Sequence, residues 1–184
     1  MSINDPSSPL KEIIAELDRS TQIDRSTFVH WLQTNDIEAM GALMDLLAAE
    51  GHSQRVQPPL TFLDIYPFVK SYYERILLEN PDGEWSDSRT TAGWNFAKWF
   101  VQLWEDDSVP RGVLSDLKGM LENLLKRHPQ LSNAIVTCVL ERLFRNSEIK
   151  SYFSDWENNS ALRSAYDEAV HLSDLAEQRR INNN

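Results

Sequence analysis

The stretch that most constrains the fold is AGWNFAKWFVQLWEDD, residues 92–107. Read as a helix at about 100° per residue from Trp94, it carries one narrow polar strip. Asn95, Lys98, Gln102, Glu105 and Asp106 fall between roughly 20° and 120°. Phe96, Ala97, Trp99, Phe100, Val101, Leu103 and Trp104 take the rest of the circumference. A helix this apolar must be covered on several sides, so the chain has to supply several other helices. The wheel expects Trp104, at about 280°, to lie in the core. It puts Trp94 and Trp99 at the borders of the polar strip, where amphipathic aromatic side chains can meet a partner.

The covering helices are legible from apolar spacing. Leu10, Ile13, Ile14 and Leu17 follow Pro9 at i, i+3, i+4 and i+7, with the helix starting at Ser8. A short helix capped near Ser26 carries Phe28, Val29, Trp31 and Leu32. Asn35-Asp36 opens the next, with a stripe of Ile37, Met40, Met44 and Leu47 and a stop at Gly51. After the loop at Pro58-Pro59, Thr61 or Asp64 caps IYPFVKSYYERILLEN; Asp64 as cap puts Pro67 at the third helical position, where no hydrogen bond is lost. The tryptophan-rich helix is expected over about 91–105.

Residues 110–127 carry Val113, Leu114, Leu117, Leu121, Leu124 and Leu125 and end in a basic turn that suits a helix C-terminus. QLSNAIVTCVLERLF is apolar on nearly all sides and therefore central. SEIKSYFSDW forms a short helix, and a last one follows Ser160 with Leu162, Ala165, Tyr166, Ala169 and Val170 inside. Only 6 residues are glycine, and no strand is expected. The fold class is all-α: a single-domain bundle or irregular stack of roughly eight helices over residues 9–178, with flexible ends at 1–8 and 179–184.

Net charge is −10, which disfavours nucleic acid and anionic membranes as partners. Residues 1–107 hold 18 Asp and Glu against 8 Lys and Arg, whereas residues 108–184 hold 10 of each, so the excess lies wholly in the first part. The sequence shows no secretory signal and no span of about 20 apolar residues. With the single Cys138 inside an apolar run, it reads as a cytoplasmic protein without disulfides.

Chemical motifs are absent. The four histidines pair with no ligand at metal spacing, and there is no phosphate loop or nucleophile elbow. PDGEWSDS lacks the spacing of a calcium loop, since Gly83 follows Asp82 directly. The expectation is no enzyme, no cofactor and no metal. What stands out is acidic surface. Asp82, Glu84 and Asp87 surround Trp85 before the tryptophan helix, and Glu105, Asp106 and Asp107 follow it, roughly 20 Å away at its other end. A tryptophan ringed by carboxylates suits an Arg- or Lys-rich partner through cation–π and charge-assisted contacts.

FLDIYPFV, WNFAKWFVQLWED and LLKRHPQLSNAIVTCVLERLF followed by LRSAYDEA resemble small all-helical bacterial families of unknown function found among toxin immunity proteins. The resemblance covers about residues 61–170 and rests on hydrophobic pattern, not on a chemical motif. It implies an all-helical fold and a cognate toxin as partner, and carries over no functional residue. The reading from sequence is an immunity protein that neutralises a basic toxin domain by occlusion. Its alternative is a non-catalytic interaction or scaffold protein, possibly homodimeric; a helical enzyme or small-ligand binder ranks below both. The partner-binding candidates are Asp82, Glu84, Trp85, Asp87, Trp94, Trp99, Glu105, Asp106 and Asp107.

Overall fold

A computed structural model describes residues 9–48, 53–80, 82–83 and 87–182. The fold is all-α: nine helices stand among the described residues, with almost no strand. These residues form two compact units. The first holds those up to Arg75 and Gly83, and the second those from Ile76 to Asp82 and from Asp87 onward.

In the first unit α1 (Pro9–Arg19) packs on α3 (Ile37–Ala48). Pro9 is the first helical residue, as expected. Of the predicted stripe Ile13 is buried, but Ile14 is half exposed. α2 (Arg25–Trp31) is capped by Asp24, two residues before Ser26, near which the cap was expected. The Asp24 carboxylate accepts from the Ser26 N–H and hydroxyl, and these bonds hold its pKa below the usual value. Asp36 caps α3 by accepting from Ala39 N–H at 2.9 Å. The buried face of α3 is Ala39, Met40, Leu43 and Leu46, turned from the predicted Ile37, Met44 and Leu47, which are half-buried. The expected stop at Gly51 lies outside the described residues.

Two short strands were not foreseen. β1 (Ile23–Asp24) and β2 (Val56–Gln57) pair in parallel, with Ile23 opposite Val56. Two residues are too few for any period to show. Both Ile23 and Val56 are buried, so the pair anchors the chain on either side of α2 and α3.

α4 (Phe62–Glu79) starts one residue after Thr61. Asp64 is the third helical residue and reaches back to the Thr61 N–H at 2.6 Å and hydroxyl at 2.7 Å, so Thr61 is the cap. Pro67 is therefore the sixth helical residue, deeper than predicted, and the Leu63 carbonyl has no proline N–H to accept from.

The second unit contains α5 (Arg89–Glu105), α6 (Arg111–Arg127), α7 (132–143), α8 (Ser147–Tyr152) and α9 (Arg163–Asn182). α7 is π-helical over Val136–Leu140, between α-helical ends. All six apolar residues predicted for α6 are buried, with Met120 added. α9 continues to Asn182. The core is an aromatic chain: Phe100 lies 5.9 Å from Phe153, which lies 5.6 Å from Phe144 and 4.9 Å from Trp156. Trp156 is 1 % exposed, so the core tryptophan of this unit comes from outside the tryptophan-rich helix. No described helix is long and apolar enough to cross a membrane.

Candidate functional site

The site is built on α5. Ser88 caps it by accepting from the Thr91 N–H, and the helix starts at Arg89, two residues before the predicted start. Its start is tied to the end of α4: Arg89 donates to the Leu77 and Leu78 carbonyls, and the buried Asn80 side chain donates to the Asp87 carbonyl. The two Arg89 bonds satisfy carbonyls that the C-terminus of α4 leaves unpaired.

The buried face of α5 is Ala92, Gly93, Phe96, Ala97, Phe100 and Leu103. No tryptophan belongs to it. Trp99 is half-buried against Phe96, and Trp94 is 44 % exposed, as expected for border positions. Trp104 corrects the prediction: it is half-buried, not a core residue. It falls in the apolar arc of the wheel but stands in the last turn of the helix. A wheel projection has no axial coordinate and cannot show this.

Trp104 instead lines an open groove of about 630 Å³ with Glu105, Asp107, Arg111, Arg145, Asn146 and Glu148. Its ring lies 5.3 Å from Tyr152, and the Arg111 guanidinium sits 5.1 Å over it. Arg145 is paired with Glu141. Among the described residues Glu105, Asp107 and Glu148 form no ion pair, so three carboxylates face the groove with their charge unspent. Lys118, 13 % exposed, braces the neighbouring wall. It donates to the Tyr152 carbonyl at 2.8 Å and to Asp155, and lies 4.8 Å over the Tyr152 ring. Burial raises the Tyr152 pKa, and a hydrogen bond with Ser115 opposes that rise.

The candidates therefore separate. Glu105 and Asp107 line the groove. Asp106, beside them, turns to its own backbone: it accepts from Ser108 N–H at 2.8 Å and Oγ at 2.6 Å, which lowers its pKa. At the other end of α5, Asp87 accepts from the Asn95 amide at 2.9 Å, and Asp82 is exposed. Glu84 and Trp85 lie outside the described residues. Sequence reasoning missed Arg111, Arg145 and Glu148, which the fold brings from two later segments.

Arg142 was also missed. Its guanidinium lies 4.6 Å over the exposed Trp94 ring, and its Nε is covered without a hydrogen-bond acceptor. Among the described residues no group of three His, Cys, Asp or Glu side chains is arranged to hold a metal ion. The groove offers an aromatic wall, three unpaired carboxylates and two guanidinium groups, a constellation suited to recognition of charged side chains. Compared with protein-family models, with curated proteins and with solved structures, the chain matches none.

Proposed function

We propose that this chain is a bacterial immunity protein, cytoplasmic and non-catalytic, that neutralises a basic protein toxin by seating part of it on the groove at the C-terminal end of α5. The observation that carries this reading is the convergence of Glu105, Asp107 and Glu148, none in an ion pair among the described residues, on a groove walled by Trp104. A Lys or Arg side chain entering the groove meets three carboxylates that can steer and pair with it. The resemblance over residues 61–170 and the excess negative charge of the first 107 residues support the same reading.

The test uses the product of the neighbouring gene as binding partner. Glu105→Lys with Asp107→Lys is expected to slow association about tenfold or more at low salt, with the difference shrinking as salt rises. Asp106→Asn is expected to change association much less, because that carboxylate already serves Ser108. A neighbouring product that is neither toxic nor bound, or binding that ignores both salt and the reversals, sinks the proposal. A doubled mass in solution without such binding would favour a self-associating scaffold.

A further inference from the structure

We infer that Trp94 and Arg142 form a second recognition point, which takes a carboxylate side chain from an acidic segment of a protein partner. The inference goes beyond the groove and uses residues of the opposite sign.

The argument begins with an irregularity in α7. A π-helical turn holds one residue more than an α-turn, and such turns sit frequently at functional sites. The extra residue rotates every later position by about 100°. In this chain the turn occupies Val136–Leu140, and Arg142 stands two residues after it. The irregularity therefore sets where Arg142 faces. The π-helical turn also makes a close helix contact: a Cβ built on Gly93 would lie 2.7 Å from the Cys138 Cβ. Trp94 is the next residue after Gly93, and Arg142 is one helical turn after Cys138. The close approach and the Trp94–Arg142 stack thus lie side by side.

The stack itself is unfinished. Arg142 forms no ion pair among the described residues, and its covered Nε–H has no acceptor. A guanidinium partly removed from water gains more from an incoming carboxylate than a fully hydrated one does. The guanidinium lies 4.6 Å over the Trp94 ring, and Trp94 stays 44 % exposed. Lys98, exposed and one turn along α5 from Trp94, also forms no ion pair among the described residues. Two unpaired cations beside an exposed tryptophan, on a chain with 28 acidic and 18 basic residues, mark a local reversal of charge. Such a spot fits an acidic protein segment with an apolar neighbour for the indole.

The test titrates ¹⁵N-labelled full-length protein with a terminally blocked peptide of alternating aspartate and glycine, following the Arg142 Nε–H and Trp94 indole signals. Saturable shifts of both are expected, and the asparagine version of the peptide should produce none. Arg142→Gln should weaken binding about tenfold. Lys98→Gln, on an exposed position, should weaken it with no change in the melting curve. Glu105→Lys with Asp107→Lys should leave these shifts in place, which separates this inference from the groove proposal. Equal shifts with both peptides overturn the assignment. So do larger shifts with a short single-stranded oligonucleotide, which would name phosphate as the ligand.

Discussion

Gly93 stands where the fold leaves no room for a side chain. Its lack of a side chain lets α5 touch the π-helical turn of α7, and a methyl there meets the Cys138 Cβ at 2.7 Å and the Val139 Cγ2 at 3.3 Å. Gly93→Ala is expected to destabilise the protein by about 1–3 kcal/mol, read from the denaturant midpoint. Adding Cys138→Ala should recover nothing, since the clash is with a Cβ that alanine keeps. A Gly93→Ala protein with the parent's midpoint would mean that the two helices part freely. The sequence hints at little of this. Gly93 reads as one small residue in an apolar helix, and the contact depends on where a distant segment packs. Trp104 teaches the same lesson from the other side, since its angle on the wheel is right and its position along the axis decides its exposure.

Among the elements, α4 shows how a helix start sets a pH response. Asp64 accepts from the Arg25 guanidinium and from Thr61, and the Arg25 bond comes first in lowering its pKa from 3.8 to about 2. A carboxylate lowered in the folded state stabilises that state above its unfolded value and loses the effect as pH falls through the folded one. The contribution of Asp64 is therefore complete above about pH 4 and gone near pH 2. Asp64→Asn should lower the melting temperature at neutral pH and flatten its fall across that window. An unchanged acid limb would show that the bonds of Asp64 are made equally in the unfolded chain. Helices were the most legible level of this protein. Long apolar repeats such as Val113, Leu114, Leu117 and Leu121 name their buried face whatever the neighbours do. In α1 and α3 the buried face turns by a residue or so, and Ile14 and Met44 come out of register. Caps shift as well, because Asp24, Ser26, Thr61 and Asp64 are all chemically able and geometry selects among them.

For the molecule as a whole, the all-helical class followed from composition and period, while the candidate site was legible only in its local half. Glu105 and Asp107 lie beside the tryptophan helix in sequence and were named from it. Arg111 in α6, Arg145 in the turn after α7 and Glu148 in α8 reach the same groove, and no spacing rule links them to Trp104. The smallest regular element ties together distant parts of the chain. β1 and β2 pair in parallel over two residues each, a geometry that no tight turn can join. Residues 25–55 are its crossover, and the ladder makes of them a closed circuit containing α2 and α3. A circuit can be nicked without being opened. Proteolysis in the connection between α2 and α3 should give two fragments that elute together in native buffer and separate only in urea.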